Sequence, residues 1–138
     1  MAKQSGLSWT TFSVEESDGS TSRDIRNDIT NFQMATPRGV QDVTGIDKAA
    51  HERILLLADL SYTLSLVYNP TAAFSHQVFR TVSSTDTQRT TVCGIGGESL
   101  TSQVLYTDYA LTRAADGSFT SSVPGVLADG TVPTWVTA

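Results

Sequence analysis

The side chains able to do chemistry are few and stand apart from one another. The chain holds two histidines and one cysteine. His51 is followed by Glu52, but no second histidine stands at the spacing that a zinc-binding helix needs. His76 falls on the polar side of a short expected helix, so both histidines read as solvated surface. Cys93 has no second thiol for a disulfide or a zinc site, and reads as a small buried strand residue. Gly94-Ile95-Gly96-Gly97 has the glycines of a phosphate-cradling loop but lacks its lysine, its third glycine and a following helix, so it reads as a hairpin turn. There is no G-x-S-x-G elbow, and the carboxylates are scattered singly apart from Glu15-Glu16 in an expected turn. Nothing in their spacing suggests the acid pair of glycoside chemistry. Tyr106, Asp108 and Tyr109 are able to bind a ligand, as are Trp9 and Trp135, but such aromatics more often fill cores and interfaces. We read no catalytic, cofactor-binding or metal site and no enzyme.

Stepping from these residues to the elements around them, the composition favours strands and turns. Charged residues are only 17% of the chain, and Thr, Ser and Gly fill the difference. With 138 residues we expect a single domain able to bury about two thirds of its unfolded surface. A net charge of −5 with no Lys/Arg run argues against a nucleic-acid-binding surface. In RDIRND, residues 23–28, each Arg is matched by an Asp. No signal core opens the chain and no apolar run reaches the ~18 residues of a membrane span, so we expect no membrane insertion and a product made in a cytoplasm.

The strongest pattern runs from Ala58 to Tyr68, where Ala58, Leu60, Tyr62, Leu64, Leu66 and Tyr68 alternate with Asp59, Ser61, Thr63, Ser65 and Val67. That is the signature of a half-buried strand. At ~3.3 Å per residue it spans roughly 35 Å, close to the ~37 Å diameter of a compact domain of this length. If Ile54, Leu55, Leu56 and Leu57 extend it, the strand outruns its own domain, which points to assembly before chemistry. The apolar edge is expected to face the core. The edge of Asp59, Ser61, Thr63 and Ser65 is expected to face solvent, a lumen or a neighbouring subunit.

Other strands are expected at residues 9–14, 22–26, 29–34, 88–95, 99–112, 119–123 and 132–136, with Pro124-Gly125 read as a break. One amphipathic helix is expected over about residues 71–82, from Phe74, Val78, Phe79 and Val82. Residues 36–53 have no clear period. They read as a long loop with at most one helical turn, or as a hairpin with extended pieces near Val40–Thr44, against a helix capped by Asp47. Residues 1–8 read as a flexible or docking arm. The sum is a mainly β protein, a β-sandwich or barrel with one flanking helix.

Three stretches together resemble the tail tube (major tail) proteins of long-tailed bacteriophages, particularly those of phages infecting actinobacteria. They are RDIRNDITNF (23–32), TPRGVQDVTGIDKAAHERILLLADLSYTLSLVYNP (36–70) and VLYTDYALTRAADGSFTSSVPGVLADGTVPTW (104–135). The resemblance implies a single tail tube domain over residues 1–138 that forms rings, usually sixfold, whose long strands join into a barrel around a channel. It implies a virion tail protein, assembled in the bacterial host's cytoplasm, through whose lumen DNA passes without specific binding. It makes residues 36–53 the contact between rings, with Pro37, Arg38, Val40, Asp42, Val43, Ile46, Asp47 and Lys48 as candidate stacking residues and residues 1–8 as an arm. Candidate channel-facing residues are Asp59, Ser61, Thr63 and Ser65, on one of two long strands (57–68 and 99–112). Further partners by the same resemblance are a tape measure protein and tail terminator or distal tail proteins; no cofactor is implied. The acidity of the chain then reads as a wall that repels DNA phosphate. A capsid decoration or head–tail connector protein, or a monomeric ligand-binding barrel, remain the alternatives.

Overall fold

The computed structural model describes residues 3–17 and 21–137. Met1 and Ala2 of the expected arm, and the tip of the 15–20 turn, lie outside the described residues. The strands are β1 (Trp9–Glu15), β2 (Ser22–Asp24), β3 (Ile29–Ala35), β4 (Arg38–Asp42), β5 (Arg53–Ala58), β6 (Ser61–Val67), β7 (Arg89–Ile95), β8 (Glu98–Tyr106), β9 (Ala110–Arg113), β10 (Phe119–Leu127) and β11 (Trp135–Thr137). One α-helix, α1, spans Ser75–Phe79. Nine strands form an antiparallel sheet in the order β2-β1-β7-β8-β10-β6-β3, with β11 added to β8 and β9 to β10. β4 and β5 make a separate two-stranded sheet. The large sheet folds over itself: Phe12 on β1 and Tyr62 on β6 are not on neighbouring strands, yet their rings lie 5.5 Å apart, edge to face. The result is a mainly β, sandwich-like fold.

The alternation in β6 sorts as its period requires. Leu60, Tyr62, Leu64 and Leu66 are buried in the core with Phe12, Val14, Val104 and Val123. Ser61, Thr63, Ser65 and Val67 point away from it. The single long strand, however, does not form. It breaks at Asp59, whose carboxylate accepts a hydrogen bond from the Leu60 N–H. The Asp59 N–H donates to the Pro37 carbonyl, so the chain changes sheets at this residue. Residues 53–58 pair with β4 instead of extending β6.

The second long strand, expected over 99–112, is also divided. β8 leaves β10 after Tyr106, residues 107–109 bulge out, and β9 resumes pairing at Ala110 opposite Ser122. Pro124 sits in that gap, where a strand neighbour is missing and its absent N–H costs no ladder bond. Pro124-Gly125 therefore lies inside β10 and not at its end. At Gly125 a Cβ would stand 2.8 Å from Val104 Cγ1 and 2.9 Å from the Tyr106 ring, so close packing demands glycine there. The β7–β8 hairpin turns on Gly96 and Gly97, both at positive φ as a two-residue turn needs.

The helix is shorter than its periodicity suggests. Ala73 has φ 73°, which blocks a helical start at residue 71, and turns replace helix after Phe79. The apolar face was nonetheless identified: Val78 and Phe79 are fully buried. Asp28, itself buried, anchors the segment by accepting bonds from the Ser75 N–H (3.0 Å) and the Asn69 side-chain amide (2.9 Å). The segment 36–53 is a hairpin and not a loop or a helix capped by Asp47, and its second strand draws in the apolar run Ile54–Leu57.

Candidate assembly surfaces

The pleat of β6 and the register of its neighbours build one continuous outer face. Ser61, Thr63, Ser65 and Val67 lie opposite Val126, Pro124, Ser122 and Thr120 of β10 on one side. On the other side Ser61, Thr63 and Ser65 lie opposite Ala35, Gln33 and Asn31 of β3. Beyond β10, Ala110 and Thr112 of β9 continue the same face. No residue of this face carries a charge. Asp59 stands exposed at its rim beside Ser61, off the strand itself. Three of the four residues expected on one polar edge thus share a face, and the fourth flanks it. Among the described residues the acids sit mainly in turns and in the β4–β5 hairpin, so this face offers phosphate no cation to pair with and few carboxylates to repel it.

The four strands β9-β10-β6-β3 end in an unpaired edge on each side among the described residues. β3 carries Thr30, Asn31, Phe32, Gln33 and Met34 along its free edge, without a lysine or proline to blunt it.

The hairpin gathers all the expected stacking residues. Pro37, Arg38, Val40, Asp42, Val43, Ile46, Asp47 and Lys48 are exposed along it. Arg38 ties the two strands at the base, donating from Nε and NH2 to the Leu56 carbonyl at 3.0 and 2.8 Å. Near the tip Asp42 accepts bonds from the Thr44 hydroxyl and N–H and lies 2.9 Å from His51 Nδ1. Those Thr44 bonds, with His51 as a smaller contributor, hold the Asp42 carboxyl below its ordinary value. Lys48 lies 3.8 Å from Asp47 and 3.7 Å from Glu52.

The apolar side chains of the hairpin have no cover: Val40, Val43, Ile46, Ile54, Leu55, Leu56 and Leu57 are all exposed, Leu57 at 89%. Ile54–Leu57 were not among the expected stacking residues. The available signal was that four consecutive apolar residues break a period of two. Val40 pairs with Leu55 while Gln41 pairs with Ile54, so apolar groups stand on both faces of this two-stranded sheet.

The two histidines and the cysteine stand apart from one another. His51 is exposed, as expected. His76 is not simply solvated: its ring lies 4.9 Å from Tyr68 and 5.9 Å from Tyr109, enclosed because those tyrosines leave β6 and the 107–109 bulge on the same side. Tyr106 is core, bonded through its hydroxyl to Thr91 at 2.7 Å. Trp9 and Trp135 line an open apolar groove of about 580 Å³ with Phe32, Met34 and Ile95. Buried Cys93 borders it, and burial pushes its thiol up in pKa, which keeps it neutral. Among the described residues no group of three or more His, Cys, Asp or Glu is placed to hold a metal ion. Among the described residues no helix is long and apolar enough to cross a membrane.

No protein-family model matches the sequence, and no curated protein matches it. Solved structures similar to the chain include two from gene transfer agent particles. One is a chain of the virion of a native gene transfer agent particle, with a TM-score of 0.76 at 11% identity over 98% of this chain and 100% of that one. The other belongs to the tail of an empty gene transfer agent particle refined with helical and C6 symmetry, with a TM-score of 0.78 at 11% identity over 99% of both chains. At this identity the likeness is one of fold: the chain has the β-sandwich fold of a particle-tail subunit.

Proposed function

We propose that this chain is the structural subunit of a virion tail tube, closing into rings that stack into a hollow conduit for DNA. The observation that carries the reading is the sheet β9-β10-β6-β3, with a free edge on each side and an uncharged outer face. Its strands alternate in direction, and their number is even. A β3 edge laid against the β9 edge of an identical neighbour is therefore again antiparallel, and the alternation continues unbroken around a ring. Closure removes both edges, as barrels do. The C6 symmetry of the similar tail supports six copies. Six such sheets give on the order of 24 strands, and at ~4.8 Å spacing and 35–45° tilt the barrel is about 45–50 Å across at the backbone. Side chains on the inner wall leave room for a DNA duplex.

Ser61, Thr63 and Ser65 then face the channel with Asp59 at its rim. DNA slides because the wall carries no cation to release its counterions; strong repulsion by wall carboxylates, which the net charge alone suggested, is not needed. The β4–β5 hairpin, with Pro37, Arg38, Val40, Asp42, Val43, Ile46, Asp47 and Lys48, is the contact between rings. Its seven bare apolar side chains amount to about four whole residues of exposure. Covering them is worth on the order of 10 kcal/mol per copy.

Electron microscopy of the concentrated protein tests this. Hollow tubes or stacked rings are expected. Isolated oligomers of fixed size would favour a capsid decoration or connector protein, and a persistent monomer would favour a ligand-binding barrel.

A further inference from the structure

We infer that the β4–β5 hairpin of one copy seats on a ledge formed by Tyr68, Leu111 and Phe119 of a copy in the adjoining ring, an inference that rests on the tube reading above. Exposed large apolar residues stand at both ends of β6, as others do on β11 and before β1. At the end where Ser61 pairs with Ala35 and Val126, the chain departs into the hairpin. At the other end, where Val67 pairs with Thr120, stand Tyr68 (37% exposed), Phe119 (44%) and Leu111 (43%). About 20 Å of strand separates the two ends. Every residue of the hairpin strands from Arg38 to Leu57 is exposed, and at the base of the hairpin Leu55, Leu56 and Leu57 border Val132 of the same copy across an open groove.

Two unlike surfaces at opposite ends of one subunit make a heterologous contact, which repeats without closing and builds a filament. Rings stacked with one polarity bring the hairpin end of each copy to the ledge end of the next. The ledge is also rigid. The Tyr68 and Phe119 rings lie 5.1 Å apart, and Tyr68 is backed by His76, whose Nδ1 lies 3.2 Å from the Tyr109 hydroxyl. Tyr109 in turn packs at 6.0 Å on buried Phe79. Leu111 pairs with Ser121, two residues along β10 from Phe119, so both point to the same side of the sheet. An aliphatic hairpin meeting a preformed aromatic ledge loses little ordering entropy. Repetition around a ring multiplies the strength of each such contact.

The test compares the wild-type chain with Phe119→Asp, Leu111→Asp and Leu57→Asp, each checked for folding by circular dichroism and imaged at the concentration where wild-type tubes form. Each variant is expected to remain folded and to lose at least tenfold in stacked length. In tubes of a Leu57→Cys/Phe119→Cys chain, mild oxidation is expected to give a ladder of disulfide-linked multimers, with buried Cys93 not taking part. Tubes of normal length from both folded ledge variants, or no ladder from assembled double-cysteine tubes, would overturn the ledge while leaving the tube reading intact. Absence of tubes from the wild-type chain itself would remove the tube reading, and this inference with it.

Discussion

Asp28 and Gly125 have roles that follow from what touches them. Asp28 is buried and its carboxylate holds the Ser75 N–H and the Asn69 amide, fastening the turn after β6 to the segment before β3. Replacing it with Ala leaves both donors without their acceptor. We expect Asp28→Ala to cost about 2–3 kcal/mol in urea unfolding, the range for hydrogen bonds to a charged group. Gly125→Ala pushes a methyl into Val104 and Tyr106, both buried core residues, and is expected to cost about 1–3 kcal/mol by the same measurement. Neither role was legible beforehand. Asp28 read as one of the acids balancing arginine in RDIRND. Its neighbours in that motif do behave so, as in the Arg26–Asp24 pair at 3.1 Å. Burial of Asp28 depends on residues 41 and 47 positions away, which no local pattern carries.

Among the elements, β6 and the β4–β5 hairpin divide what the alternation had joined. The period of two was right about which side chains of β6 enter the core, because burial on one face selects apolar residues there. It was silent about the break, because Ala58 and Leu60 fit the same alternation on either side of a residue where the chain changes sheets. The helix face was legible for the same reason as the strand face. Its length was not, since a positive φ at Ala73 leaves no mark in an alanine. The hairpin tip carries a pH dependence with a definite sign. The Asp42 carboxyl is held below its ordinary 3.8, chiefly by the Thr44 bonds, so the ordering it provides is complete above about pH 4. That ordering is lost as pH falls through the lowered value. The protection factor of the Thr44 amide, exchange divided out by its intrinsic pH dependence, is expected to fall in that acid range and stay flat above it; a protection factor that falls on going from pH 5 to 7 would contradict this.

For the whole molecule, the proposed tube turns on the outer face of β9-β10-β6-β3 and its two edges. In that proposal an uncharged wall would make DNA passage a matter of missing attraction. A Thr63→Arg/Ser122→Arg chain, which sets cations on adjacent strands of that face, is expected to assemble and then retain duplex DNA at ~0.15 M salt, releasing it as salt rises. Wild-type tubes are expected to retain none. Binding by the wild type, or no retention by the variant, would put the channel on another face. The composition and the resemblance made the mainly β class legible, because it depends on residue texture along most of the chain. The two free edges were not, since β9 and β3 become edges only once the sheet is folded. Helical reconstruction of the assembled wild-type chain by cryo-electron microscopy tests the central claim most directly. Tubes are expected whose lumen is walled by β9, β10, β6 and β3 of each copy, with β3 antiparallel to the β9 of its neighbour. A chain that stays monomeric at high concentration, or tubes with that sheet turned away from the lumen, would contradict it.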